Sequence, residues 1–108
     1  MSVHVRYRQR DGDIVFELEG EIDLSNVDTV EEEIRRGLDE QSRIVVDLSR
    51  TDYIDSAGLR MLFALARTVG GRMSIVVPER SPIRRVVSMV GLSKVAPLLS
   101  ELPGEHSG

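Results

Sequence analysis

The chain has 108 residues, 41% of them hydrophobic and 30% charged, with a formal net charge of -4. That length builds one ordinary domain whose core needs no disulfide or metal staple, and the absence of cysteine excludes a disulfide scaffold, a thiolate zinc site and a cysteine nucleophile while suiting a reducing cytosol. No apolar run approaches the roughly 18 residues that span a bilayer, no apolar signal region opens the chain, and the aliphatic content is too rich for a disordered segment.

Val3, Val5 and Tyr7 alternate with His4, Arg6 and Arg8, the period-2 signature of a strand. Asp11-Gly12 predicts a hairpin turn. Ile14, Phe16 and Leu18, alternating with Val15, Glu17 and Glu19, predict a second strand that Gly20 ends. The period then becomes helical at Val27, Val30, Ile34 and Leu38. Ser25 is placed as that helix's N-cap, with Asp28 three residues on as in a capping box. Its early glutamates suit the positive end of the helix dipole, and Arg35 and Arg36 suit the later turns. The β-branched run Ile44 to Leu48 predicts a buried strand. Ser49 to Asp55 reads as polar loop with the apolar insert Tyr53-Ile54.

Ala57 to Val69 is apolar on most sides, so it predicts a buried helix, stopped by Gly70-Gly71. Met73 to Val77 predicts another buried strand, ended by Pro78. Ser81-Pro82 reads as an N-cap with proline at the first helical position. The third helix carries the stripe Ile83, Val86, Val87 and Val90 and closes at Gly91. Leu92 to Leu99 reads as a weak last strand, and residues 103–108 as a frayed tail. The order is β-β-α-β-α-β-α with a final β. It implies parallel strands joined by right-handed crossovers, in a sheet made mixed by the opening hairpin.

Charge is unevenly spread. Ten acids and no Lys or Arg lie between Asp11 and Ile34, whereas seven basic residues and one acid lie between Leu59 and Ser100. Such a split argues against a nucleic-acid binder with one uniformly basic face. It leaves open partners met through charge-complementary patches, or simple mixing of the signs in the folded chain.

The two histidines, His4 and His106, lie near no serine-plus-acid arrangement and have no metal-ligand spacing. No GxGxxG or Walker A pattern exists. Asp47 lacks the second aspartate that a phosphoaspartate hydrolase wants two residues later, and is read as a loop-organising carboxylate. The informative stretch is Asp55-Ser56-Ala57-Gly58-Leu59, at the start of the buried helix. A serine there exposes its hydroxyl where main-chain amides favour negative charge. A phosphate would add about -1.5 to -2 charges at that point, and the small neighbours leave room for a partner's active site. A plain N-cap serine, worth about 1 kcal/mol, explains the same residue without any partner.

The run from Ile44 to Leu62, IVVDLSRTDYIDSAGLRML, resembles the signature of the STAS domain, in particular of anti-sigma factor antagonists. Gly20-Glu21-Ile22-Asp23 and the segment from Ser81-Pro82 to Leu92 resemble further parts of that family's pattern, so the resemblance covers about Val3 to Leu99. It implies a single STAS domain over residues 1–108, with a mixed four- to five-stranded sheet and helices mainly on one face. It implies a cytoplasmic switch rather than an enzyme, with no cofactor, no nucleic-acid partner and no membrane insertion. In such proteins the serine at the position of Ser56 is phosphorylated by the partner anti-sigma factor, itself a serine kinase using ATP. The unphosphorylated form binds that partner and frees the sigma factor, phosphorylation abolishes binding, and a PP2C-type phosphatase restores it.

The surface this implies comprises Asp23, Asp55, Ser56, Ala57, Gly58, Leu59 and Arg60. Ala57 replaces a second serine that many relatives carry, Arg60 stands where some have glycine, and no clear final helix follows Leu99. The same fold also serves as a subunit of membrane lipid-transport ABC complexes, which is the alternative reading.

Overall fold

The computed structural model describes residues 2–104. β1 (Val3–Arg10) and β2 (Asp13–Ile22) pair antiparallel, from Val3 opposite Gly20 to Arg10 opposite Asp13. Asp11 and Gly12 between them both take positive φ, 34° and 83°, the twist that a two-residue hairpin requires. α1 (Val27–Arg36) buries Val27, Val30 and Ile34 and leads to β3 (Arg43–Asp47), which runs parallel to the first half of β2.

The sheet has six strands: the four that the apolar pattern marks clearly, the expected weak last strand, which forms only at Leu98–Leu99, and one that the pattern does not mark. β4 (Thr51–Ile54) lies where a loop was expected and pairs parallel with Gly20 to Ile22 of β2. The cause is a length mismatch. β2 has ten residues and β3 has five, so the far end of β2 needs another partner for its main-chain groups. β4 supplies it with only Thr51 and Ile54 buried, too little pattern to register as a strand in sequence. Asp47 organises the break between β3 and β4, as expected: its Oδ1 accepts from the Ser49 amide at 2.9 Å, and the Thr51 amide donates to the Leu48 carbonyl at 3.0 Å.

α2 (Ser56–Val69) ends at Gly70 in the left-handed conformation and is followed by β5 (Met73–Val76). α3 (Arg84–Met89), a 3-10 turn at Leu92–Lys94 and β6 (Leu98–Leu99) complete the order β1-β2-β3-β5-β6, with β4 on β2 beyond the end of β3. The helices cover one face. Ile14, Phe16 and Leu18 of β2 point into that core with Ile34, Leu62, Leu65 and Val87. Val15 alternates to the other face, where Val45 and Val76 join it under Leu99 and Leu102. No final helix follows β6 among the described residues. His4 is exposed, whereas His106 and most of the expected tail lie outside the described residues.

Two cap assignments are corrected. α1 begins after Asn26, not Ser25, and no side chain caps it. The Ser25 hydroxyl donates to Asp23 instead, so no capping box with Asp28 forms. α3 begins at Arg84 rather than Pro82 because Ser81 and Pro82 first close a turn. In that turn Arg84 N–H donates to the Ser81 carbonyl, and Ile83 N–H donates to Ser81 Oγ.

Candidate functional site

β2 and β4 run parallel with Ile22 opposite Ile54, so the residues after them leave the sheet side by side. After β2 comes the turn Asp23 to Asn26, and after β4 comes Asp55 at the head of α2. The Asp55 amide donates to the Ile22 carbonyl at 3.1 Å. Its carboxylate serves both segments: Oδ1 accepts from the Gly58 amide and Oδ2 from the Leu24 amide, each at 3.0 Å.

Asp55, not Ser56, is therefore the N-cap of α2. A carboxylate has an oxygen for each of two donors, whereas a hydroxyl at the cap would serve only one. Ser56 is thereby released from capping. It is the first helical residue, it is exposed, and its hydroxyl makes no hydrogen bond among the described residues. The Asp55→Ala variant should lose about 1–2 kcal/mol. Urea unfolding reads that loss, and faster exchange of the Leu24 amide separates it from ordinary fraying of the helix. Retained stability with a protected Leu24 amide would contradict the double role.

The neighbouring turn is built from its own polar groups. Asp23 Oδ1 accepts from the Ser25 hydroxyl and amide. Asn26 accepts from the Asp23 amide at 3.1 Å and donates to the Glu21 carbonyl at 2.8 Å. The hydrogen bond from the Ser25 hydroxyl is the main cause holding the Asp23 carboxyl below its ordinary pKa. Asp23 is thus a fixed negative charge at neutral pH, on a turn that Asp55 ties to the head of α2.

Of the seven residues marked from sequence, three face inward. Ala57 and Leu59 belong to the core cluster, and Gly58 is buried against Ile54 and Ile22. A Cβ on Gly58 would lie 2.6 Å from Ile54 Cγ1, so the absence of a side chain is what lets the head of α2 sit this close to β4. Ser56 and Arg60 are exposed, and Asp23 and Asp55 are half-buried.

The surface also contains Leu24, 74% exposed, which sequence reasoning did not mark. It falls in the gap between the strand period and the helix period, and only an apolar residue inside a polar turn could have signalled it. Leu24, Asp28 and Glu31 line one wall of a groove of about 360 Å³, and Ala57, Arg60 and Arg67 line the other. Arg35 braces the two helices, bonding Glu31 at 2.7 Å and Thr68 at 3.0 Å. Among the described residues no cluster of His, Asp or Glu is suited to a metal ion, and no helix is long and apolar enough to cross a membrane.

Comparison with known proteins agrees with this architecture. The STAS domain model matches residues 4–102. Anti-sigma-F factor antagonist RsfB of Mycobacterium tuberculosis is 33% identical over 109 aligned positions, covering 99% of this chain and 89% of RsfB. The crystal structure of an anti-sigma factor antagonist from Mycobacterium paratuberculosis matches with a TM-score of 0.85 at 29% identity, over 94% of this chain and 88% of that one. The Bacillus protein SpoIIAA, solved in its phosphorylated form, shares the fold with a TM-score of 0.58 at 21% identity, over 93% of both chains. RsfB and the Mycobacterium paratuberculosis protein, both matched along nearly the whole length, are anti-sigma factor antagonists, and the chain belongs to the STAS domain family.

Proposed function

We propose that this chain binds an anti-sigma factor through the surface around the head of α2, and that phosphorylation of Ser56 by that partner ends the binding. The observation that carries the reading is the free Ser56 hydroxyl, exposed at the first position of α2 because Asp55 does the capping. Transfer of the γ-phosphoryl group of ATP to Oγ forms one O–P bond and releases ADP and a proton. The kinase chemistry belongs to the partner, and the chain is its substrate. A PP2C-type phosphatase would reverse the step by hydrolysis. Asp23, Asp55 and Arg60 then shape the charge that the partner meets, while Ala57, Gly58 and Leu59 set the height of the helix under it. The reading places the chain in the cytoplasm, with no cofactor of its own.

The affinity change follows from desolvation. A phosphate brings about -1.5 to -2 charges to a surface that must lose water when the partner docks, and burying negative charge that the partner does not compensate costs several kcal/mol. The test adds the chain to the preformed complex of anti-sigma factor and sigma factor. Release of sigma is expected, and prior incubation with ATP and the kinase should abolish it. Failure of the unmodified chain to release sigma would overturn the reading.

A further inference from the structure

We infer that Arg60 is the intramolecular counter-ion of a phosphate on Ser56; the inference rests on Ser56 being the phosphoacceptor. Both residues are exposed on α2, four positions apart. Residues at that spacing share a helix face, with about 5–6 Å between their Cβ atoms. Side chains on a helix lean toward its N-terminus. The Cα–Cβ bond of Arg60 therefore tilts toward the turn that carries Ser56, which brings a phosphate there within reach of the long arginine side chain.

Arg60 is also uncommitted. Arg6, Arg35, Arg36, Arg43 and Arg50 each have a carboxylate partner, whereas Arg60 has neither an ion pair nor a hydrogen bond among the described residues. Arg67 is equally uncommitted, but it stands eleven residues from Ser56 on α2, roughly 16 Å along the axis, and is out of reach.

The surroundings make a counter-ion consequential. Asp23 and Asp55 flank the head of α2, and Asp28 and Glu31 face Arg60 across the groove. All four carboxylates oppose the second charge of a phosphate, and Arg60 favours it. Bound to the phosphate, Arg60 raises the dianionic fraction at neutral pH. The same pairing withdraws its guanidinium from the surface offered to the partner. Phosphorylation then changes that surface twice, by adding negative charge and by engaging a positive one.

The test installs phosphoserine at position 56 during translation, so that no kinase is needed, and follows its phosphorus resonance by NMR across pH. The second pKa of a phosphoserine lies near 6. The Arg60→Gln variant should raise it by roughly 0.15–0.4 units, Arg60→Lys should retain most of the effect, and Arg67→Gln should leave it unchanged. An unchanged titration in Arg60→Gln, or an equal shift in Arg67→Gln, would overturn the inference. If the anti-sigma factor leaves Ser56 unmodified, the proposed function fails, and the installed phosphate still decides the role of Arg60.

Discussion

The Ser56→Asp variant is expected to bind the anti-sigma factor at least about 100-fold more weakly than the parent chain, a loss of about 2.7 kcal/mol. The substitution places a carboxylate at the first position of α2, directly after Asp55, whose own carboxylate holds the Leu24 amide of the Asp23 turn. For the free protein this is harmless, because the positive end of the helix dipole favours an acid there by about 0.3–1 kcal/mol. For the complex it is costly, because the added charge must be desolvated against the partner. Melting temperature and affinity should therefore move independently, the first level or slightly raised and the second sharply reduced. Ser56→Ala should bind nearly as well as the parent, since the Ser56 hydroxyl has no internal bond to lose. Calorimetric titration of the three proteins decides the matter. Parent-like affinity in Ser56→Asp would remove Ser56 from the interface.

The Gly20→Ala variant should lose about 2–4 kcal/mol of stability. For a domain of this size that lowers the melting temperature by about 10 °C or more. Gly20 has a φ of +110°, and a Cβ there would lie 2.4 Å from the main-chain oxygen of Ser2. That oxygen cannot simply retreat, because it accepts the Glu21 amide at 3.1 Å. The Gly20 amide in turn donates to the Arg50 carbonyl at 3.0 Å, and the ladder shifts register between Gly20 and Glu21. β2 thus changes partners from β3 to β4 at this residue. The placement of Asp23 beside Asp55 depends on that exchange, so the variant should also lose protection of the Leu24 amide, which bonds to Asp55. A melting temperature within about 2 °C of the parent would show that the bulge is soft and that the site does not depend on it.

The fold was legible wherever apolar residues repeat with a clear period. β1 and β2 alternate, β3 and β5 are short aliphatic runs, and α2 is apolar on most sides. β4 was not legible because its existence depends on the unpaired end of β2, a fact about two strands rather than one. The caps failed for a similar reason. Asp55 and Ser56 are both competent N-caps, and what chooses between them is the Leu24 amide, 31 residues away in sequence. Ser25 looks like the cap of α1 until Asp23 takes its hydroxyl.

The charge split has a local resolution. Asp13, Glu17, Glu19, Glu31 and Glu32 pair with arginines at positions 43, 50, 6, 35 and 36. Apart from Arg43–Asp13, whose carboxylate is buried, these surface pairs contribute little stability, but they leave Arg60 and Arg67 of the basic half uncommitted beside the acidic wall of the α1–α2 groove. Asp23, Asp55, Ser56 and Arg60 of the candidate site could be marked from sequence by resemblance, whereas Leu24 could not. The division of labour between Asp55, which holds the loop and the helix together, and Ser56, which is left free, required the structure.

Mass spectrometry of the chain after incubation with the anti-sigma factor and ATP shows whether Ser56 is the phosphoacceptor. The expected result is a single phosphate located on Ser56, absent when Ser56 is replaced by alanine, with loss of the complex in step with its appearance. Phosphate on another residue, or a chain that stays unmodified while it remains bound, would rule out Ser56 as the switch.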